Sequence, residues 1–216
     1  MKRYKAYIFD FDGVIKESVR VKSEAFVQLY EKEGDAFQKR VEEYHLAHGG
    51  ISRYVKFKVW NEWLGYSTSE ESIEDLANKF SQLVIDKVIG APYVTGAQYA
   101  IDSAKKNALS FIATGTPDHE IDEILDRLSL TSNFDEIHGS SRNKSEIVED
   151  ILDRFNLNPS DVLFIGDAQT DYKAALDHKL DFYLRKTDYN SDWFQGKPSI
   201  TFHKTDLQQL NEIINE

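Results

Sequence analysis

The stretch AYIFDFDGVIKES (residues 6–18) places two aspartates, Asp10 and Asp12, where a short apolar run ends. A continuous apolar run of this length is typical of a strand that is buried on both faces. Two carboxylates this close together repel each other, which can force one pKa upward. A bound cation or a reacting phosphate would offset that cost, so the stretch predicts both a central strand and a polar site at its end.

The composition indicates a globular protein and argues against several functional classes. The chain has 216 residues, 41% of them hydrophobic, and carries 26 basic against 37 acidic residues, for a net charge of −11. This balance fits a globular protein and argues against a sequence-independent nucleic-acid binder, which needs a basic face. The absence of cysteine excludes disulfides, thiol catalysis and cysteine-ligated metals.

No apolar stretch approaches the roughly eighteen residues of a membrane span. The positively charged opening is followed by an apolar run of only Ala6 to Phe9, which is too short for a signal peptide. We therefore expect a soluble cytoplasmic protein with no membrane partner.

Two further runs match the first one, LSFIA (residues 109–113) and VLFI (residues 162–165), and each is followed by a helical pattern. Weaker strand candidates are FDEIHG (134–139) and DFYLRK (181–186), and LQQLNEII (207–214) predicts a closing helix. Strands that alternate with helices predict a doubly wound, Rossmann-like parallel sheet of the α/β class.

The stretch from residue 16 to residue 91 is different, because it contains helical faces and no clear alternating strand. Its best face is formed by Ile73, Leu76, Ala77, Phe80 and Val84. We therefore predict an all-helical cap domain (16–91) inserted into an α/β core domain (1–15 and 92–216), with hinges near Lys16 and Pro92.

The residues that end the three apolar runs define a candidate site. The runs end in Asp10, in Thr114-Gly115 and in Gly166-Asp167, and Lys144 lies in the opening turn of a helix between the last two. Because ligands bind beyond the carboxyl ends of strands in open α/β sheets, we expect these residues to share one crevice. Carboxylates suit Mg²⁺, and a helix start with a free amide suits phosphoryl oxygens.

Four motifs in this order, DFDGV (10–14), ATG (113–115), Lys144 and GDAQTD (166–171), resemble the motifs of the haloacid dehalogenase (HAD) superfamily. The helical insertion after the first motif is similar to the cap of the branch that contains phosphoglycolate phosphatase and β-phosphoglucomutase. The resemblance covers the whole chain.

The resemblance implies roles for these residues. Asp10 would be the nucleophile and Asp12 the general acid and base. Thr114, the Gly115 amide and Lys144 would hold phosphoryl oxygens. Mg²⁺ would bind Asp10, the Asp12 carbonyl and Asp167, with Asp171 as a supporting or direct ligand.

Simpler interpretations exist for each motif. Asp10 and Asp12 could be turn residues, whereas an EF-hand fits poorly because the twelfth position, which requires glutamate, is Val21. Lys144 could be a solvated lysine, and Asp171 could only stabilise a helix start. The occurrence of all four motifs together favours the site.

The predicted cap carries its own candidates. Ser52 could begin a helix on which Arg53 and Lys56 share a face, following His48 and Gly50. In the resembled family the cap supplies specificity residues, so these four (His48, Gly50, Arg53 and Lys56) are candidate substrate contacts; a solvated amphipathic helix is the alternative. The other histidines, His45 among them, show no metal-ligand spacing and are predicted to be surface or structural.

The resemblance implies a Mg²⁺-dependent phosphomonoester hydrolase acting on a small phosphorylated metabolite such as phosphoglycolate or a sugar phosphate. Asp12 argues against dehalogenation, which needs no proton donor. A phosphomutase and a non-catalytic binding protein of the same fold stay open as alternatives, as do a monomer and a homodimer. One departure is Glu17, where relatives often have aspartate.

Overall fold

The computed structural model describes residues 4–215, except for the side chain of Asn215. Six strands form one parallel sheet in the order β3-β2-β1-β4-β5-β6. They are β1 (Ala6–Phe9), β2 (Leu109–Ala113), β3 (Glu136–His138), β4 (Val162–Gly166), β5 (Asp181–Arg185) and β6 (Phe202–Lys204). The predicted doubly wound parallel α/β sheet is confirmed.

The central position of β1 explains its sequence. Ala6 lies opposite Leu109 of β2 on one side and Val162 of β4 on the other. All four residues of β1 are buried, because helices cover both faces of the sheet, so each position selects an apolar side chain.

Ten α-helices accompany the sheet in the described part of the chain. Four lie in the insertion between β1 and Pro92: α1 (Val19–Leu29), α2 (Asp35–Ala47), α3 (Arg53–Leu64) and α4 (Glu70–Gly90). The other six are α5 (Ala97–Asn107), α6 (Asp118–Arg127), α7 (Lys144–Arg154), α8 (Gln169–Asp177), α9 (Ser191–Phe194) and α10 (Gln208–Asn215).

The helical insertion α1–α4 has an aromatic centre. The ring of Phe26 on α1 lies 4.0 Å from that of Phe80 on α4, 5.0 Å from that of Trp60 and 5.6 Å from that of Phe57 on α3. Buried aromatic pairs in such edge-to-face and stacked geometries stabilise the packing beyond the area that they bury.

The two chain segments that enter and leave the insertion are hydrogen-bonded to each other. The amide of Glu17 donates to the Pro92 carbonyl at 2.9 Å, and the amide of Val94 donates to the Ile15 carbonyl at 3.0 Å. This paired crossing coincides with the hinges predicted from the sequence, and the domain boundary itself stays a prediction.

The last strand and the last helix differ in how well the sequence predicted them. The three-residue edge strand β6 was not predicted, whereas the predicted closing helix is found as α10. A search of the described helices finds none long and apolar enough to cross a membrane.

Candidate active site

A cavity of about 260 Å³ lies between the helical insertion and the carboxyl edge of the sheet. The sequence-predicted residues that line it are Asp10, Asp12, Gly115 and Asp167 from the sheet side, and Gly50, Arg53 and Lys56 from the insertion. The end of each central strand therefore reaches the same space, as the topology requires.

Asp10 directly follows β1 and is 3% exposed. Its Oδ1 accepts a hydrogen bond from the Phe11 amide at 2.7 Å and lies 3.0 Å from Lys144 Nζ. Its Oδ2 accepts no hydrogen bond from the described residues. Asp10 thus presents one engaged and one free carboxylate oxygen, which is the arrangement that a nucleophile needs.

The carboxylate of Asp12 is held on both oxygens. Oδ1 accepts a hydrogen bond from Ser18 Oγ at 2.6 Å, and Oδ2 accepts from Lys22 Nζ at 2.5 Å and from Thr116 Oγ1 at 3.1 Å. Burial opposes the ionisation of Asp12, but the attraction of Lys22 and these hydrogen bonds outweigh it and hold its pKa below the usual range.

Lys144 bridges two aspartates at the start of α7. Its Nζ lies 3.0 Å from Asp10 Oδ1 and also donates to Asp171 Oδ1. Burial works against the ammonium, but the two carboxylates raise its pKa. The predicted helix start is confirmed, because Asn143 and Glu146 form a reciprocal capping box that fixes the position of Lys144.

Asp171 supports the loop that carries Asp167. Its Oδ2 accepts hydrogen bonds from the amides of Asp167 and Ala168 at 3.1 and 2.9 Å, while its Oδ1 accepts from Lys144. Both oxygens of Asp171 are therefore engaged by the protein, which favours a supporting role over direct coordination of a metal.

Asp167 is packed against the first motif. A Cβ atom on Gly13 would lie 2.2 Å from Asp167 Oδ2, and Gly13 has a φ of +76°. Only glycine combines this backbone conformation with so close an approach. The same Oδ2 accepts a hydrogen bond from the Tyr189 hydroxyl at 3.0 Å.

The donor set fits a hard divalent cation. Oxygens of Asp10, Asp167 and Asp171 lie within 4.8 Å of one another. Burial, with the neighbouring carboxylates, raises the pKa of Asp10 to about 7 and that of Asp167 well above its usual value. A divalent cation held by Asp10 and Asp167 would relieve this excess negative charge, and oxygen donors of this kind suit Mg²⁺.

The second motif contributes the backbone of Gly115 to the cavity wall and the buried hydroxyl of Thr114. Gly115 lines the cavity, and a Cβ atom on it would lie 2.7 Å from the Gly50 carbonyl oxygen of the insertion. Thr114 is buried, and its Oγ1 accepts a hydrogen bond from the Thr116 amide at 3.3 Å. Thr114 is not among the described residues that line the cavity.

The four cap candidates do not share one role. Arg53 makes a two-pronged ion pair with the buried Glu120 of α6, with distances of 2.7 and 2.5 Å. His48 stacks on Tyr44, with 3.9 Å between ring centroids, and does not line the cavity within the described chain, so the prediction of a substrate contact gains no support. Gly50 and Lys56 both face the cavity.

Four residues of this region were not predicted from the sequence as site residues: Lys22, His45, Glu120 and Tyr189. Lys22, His45 and Tyr189 line the cavity, and Glu120 neutralises Arg53. His45 is buried and contacts Lys56 Nζ, so it is not a surface residue. A partial signal was available for Lys22, which lies on the same helical run as Ser18 and Phe26.

Comparison with known proteins identifies the family. Residues 7–184 match the family described as "Haloacid dehalogenase-like hydrolase", and the chain therefore belongs to that family. The resemblance found in the four sequence motifs is confirmed, as is the class of enzyme, a HAD-like hydrolase. A comparison with curated protein sequences gives no significant match.

Solved structures share the fold over the whole chain. A Lactobacillus plantarum protein provisionally described as a phosphoglycolate phosphatase matches at a TM-score of 0.77 and 15% identity, over 98% of this chain and all (100%) of that one. A phosphatase predicted in Clostridium acetobutylicum matches at 0.75 and 18%, over 99% of each chain. A Bacillus subtilis protein assigned as a HAD hydrolase, bound to magnesium and described as revealing interdomain movement, matches at 0.74 and 19%, over 100% of each.

Proposed function

We propose that the protein is a Mg²⁺-dependent phosphomonoester hydrolase that acts on a small phosphorylated metabolite through an aspartyl-phosphate on Asp10. The observation that carries this proposal is the position of Asp10. It lies at the cavity between the insertion and the sheet with a free Oδ2, beside Lys144 and within the carboxylate cluster that it shares with Asp167.

In the first half-reaction, Asp10 Oδ2 attacks the phosphorus atom of the ester. A bond from Asp10 to phosphorus forms while the bond to the ester oxygen breaks, and the leaving oxygen takes a proton from Asp12. The ion pair with Lys22 holds Asp12 as a carboxylate when the cavity is empty. The negative charge of the bound ester favours protonation of Asp12, which takes from solvent the proton that it then donates.

In the second half-reaction, Asp12 acts as a base. It removes a proton from a water molecule, whose oxygen attacks the phosphorus atom and releases inorganic phosphate together with the free Asp10 carboxylate. The position of Lys144, with Nζ 3.0 Å from Asp10 Oδ1, suits it to hold Asp10 in place and to neutralise charge on the phosphoryl oxygens.

Mg²⁺, held by Asp10 and Asp167 with Asp171 in support, would neutralise charge on the transferring phosphoryl group. Gly115 offers a backbone amide at the cavity wall, with Thr114 behind it. Phosphoryl transfer depends mainly on such positioning and charge neutralisation.

The size of the cavity supports a small substrate. About 260 Å³ suits a phosphorylated metabolite of a few carbons. The insertion covers the reacting groups, and closure of such a cap excludes bulk water during transfer. A cytoplasmic location stays a prediction, as does the choice between monomer and homodimer.

The proposal is tested by measuring phosphate release from a panel of small phosphomonoesters, with Mg²⁺ and with EDTA. We expect release that depends on Mg²⁺ and falls by several orders of magnitude in Asp10→Asn, because the amide cannot act as the nucleophile. Asp122→Asn, which changes an exposed aspartate on α6, is the matched control and should retain wild-type rates.

Release of phosphate by Asp10→Asn at a near wild-type rate would exclude Asp10 as the nucleophile. If no ester is hydrolysed by the wild-type protein, the same panel should be supplied with a phosphorylated sugar activator, since isomerisation without release would identify a phosphomutase.

A further inference from the structure

Three buried basic side chains border the cavity on the side of the insertion, and two of them are neutralised by the protein itself. Lys22 pairs with Asp12 at 2.5 Å, and Arg53 pairs with Glu120 through two nitrogen–oxygen contacts. A buried ion pair of this kind has no remaining charge to offer a ligand.

Lys56 differs from the other two. It is 2% exposed, and no carboxylate of the described chain lies within 4.0 Å of its Nζ. Its hydrogen-bond partner is His45 Nδ1, at 2.8 Å. The histidine ring therefore fixes the direction of the ammonium without neutralising it.

An unpaired buried ammonium is unfavourable. Removing a charge from water costs several kcal/mol unless a counter-charge replaces the lost solvation. Burial, with repulsion from Lys22 and Arg53, lowers the pKa of Lys56 to about 7. Because Lys56 lines the same cavity as Asp10 and Gly115, a ligand in that cavity can supply the missing counter-charge.

We propose that Lys56, oriented by His45, binds a carboxylate of the substrate, so that the substrate is the phosphomonoester of a small hydroxy acid rather than a sugar phosphate. This inference rests on the proposed phosphatase function, because the other end of the ligand is the phosphate at Asp10.

The charge balance favours one carboxylate over a second phosphate. A single ammonium compensates a single negative charge, whereas a phosphate dianion would need a second cation, and Lys22 and Arg53 are already paired. The wall beside Lys56 argues against a sugar, since Phe26 and Phe80 line the cavity there and cannot form hydrogen bonds with a row of hydroxyl groups.

The test compares matched esters that differ only in the carboxylate. Phosphoglycolate is paired with 2-hydroxyethyl phosphate, and 3-phosphoglycerate is paired with glycerol 3-phosphate. The quantity measured is the ratio of kcat/KM within each pair, for the wild type, Lys56→Gln and Lys56→Arg. Lys58→Gln, which changes an exposed lysine on the same helix, is the control.

We expect the wild type and Lys58→Gln to favour the carboxylate ester in at least one pair by about tenfold or more, the scale of a charge-assisted hydrogen bond. Lys56→Gln should bring that ratio close to one, and Lys56→Arg should restore part of it. Thermal unfolding and circular dichroism establish that each variant is folded.

A ratio near one in the wild type, or a preference that survives in Lys56→Gln, would overturn the inference and leave the phosphatase proposal intact. If no ester is hydrolysed, the phosphatase proposal fails separately. Calorimetric titration of phosphoglycolate in the presence of Mg²⁺ then decides the carboxylate site, because equal affinity for the wild type and Lys56→Gln, or no binding to either, would exclude it.

Discussion

Tyr189 links the loop after β5 to the carboxylate cluster. Its hydroxyl donates to Asp167 Oδ2 at 3.0 Å, and the side chain of the next residue, Asn190, donates to the Asp167 carbonyl at 2.8 Å. Groups that orient a metal-binding carboxylate in this way contribute to metal affinity although they do not touch the ion.

We therefore expect Tyr189→Phe to weaken Mg²⁺ binding by about tenfold or more, because Asp167 loses the contact that fixes its orientation. Calorimetric titration of the protein with Mg²⁺ alone measures this effect without any substrate. Tyr99→Phe changes a tyrosine that is 59% exposed and should bind Mg²⁺ as the wild type does. Equal affinities for Tyr189→Phe and the wild type would remove Tyr189 from the metal site.

At the residue scale, the sequence identifies the groups that directly follow buried strands. Asp10 and Asp167 could be predicted because an apolar run and the topology of a parallel sheet together determine where its last residues go. Lys22, His45 and Glu120 could not be predicted in this way. Each has a residue type that is usually solvated or only stabilises a helix, and its partner is fixed solely by how the insertion packs on the core.

At the scale of elements, the end of α2 and the segment that follows it lie against the start of α8. Gln169 Nε2 donates to the Ala47 carbonyl at 2.8 Å, and a Cβ atom on Gly50 would lie 1.8 Å from Thr170 Oγ1. The Gly50 carbonyl in turn faces Gly115. Glycine at this position allows the insertion to close over the phosphate end of the cavity.

Gly50→Ala should lower kcat/KM by about tenfold or more, because the added methyl group keeps the insertion away from α8 and misplaces the reacting groups. Steady-state phosphate release measures this loss. The control is Gly65→Ala: Gly65 has a φ of +68°, close to the +74° of Gly50, but a Cβ atom there meets nothing within 4 Å.

Both glycine variants should lose about 1–2 kcal/mol of stability from the left-handed backbone conformation, and only Gly50→Ala should lose activity. An equal loss of activity in the two variants would show that backbone strain, rather than closure, is responsible.

The buried strands could be predicted from the sequence, and the most exposed edge strand could not. The three apolar runs, one of which contains a single serine (Ser110), were identified as strands because burial on both faces removes the regular alternation of polar residues, and β1, β2 and β4 confirm this. Strand β6 was missed since it has three residues and lies at the edge, with the middle side chain exposed. So short a segment carries no periodic signal that distinguishes it from a loop.

At the scale of the whole molecule, the insertion and the core are joined by a buried ionic group. Arg53 of α3 pairs with Glu120 of α6, and Ser81 of α4 donates to the same carboxylate at 2.7 Å. An exposed pair, Arg127–Asp86 at 2.7 Å, lies between α6 and α4. The buried pair fixes how the insertion sits on the core.

Glu120→Gln should lower the free energy of unfolding by about 3 kcal/mol, because it leaves the Arg53 guanidinium buried without a counter-charge. Urea denaturation measures the change. Glu123→Gln, which alters an exposed residue of the same helix, should change stability by less than about 0.5 kcal/mol.

The double variant Arg53→Met/Glu120→Gln should be more stable than the sum of the two single changes predicts, since it removes the unpaired charge. Additive losses would mean that the two groups do not stabilise each other.

The proposed reaction requires that a phosphoryl group becomes attached to Asp10. Asp12→Asn removes both the acid of the first step and the base of the second, so an ester whose leaving group needs no proton should still phosphorylate Asp10 while release of the phosphoryl group is slowed. The most direct measurement is therefore rapid acid quenching of Asp12→Asn with an excess of p-nitrophenyl phosphate and Mg²⁺, followed by peptide mass spectrometry. We predict one added phosphoryl group on the peptide that contains Asp10, labile to hydroxylamine and absent in Asp10→Asn/Asp12→Asn. Hydrolysis of the ester by the wild type, with no phosphoryl group on Asp10 in the quenched variant, would contradict the account.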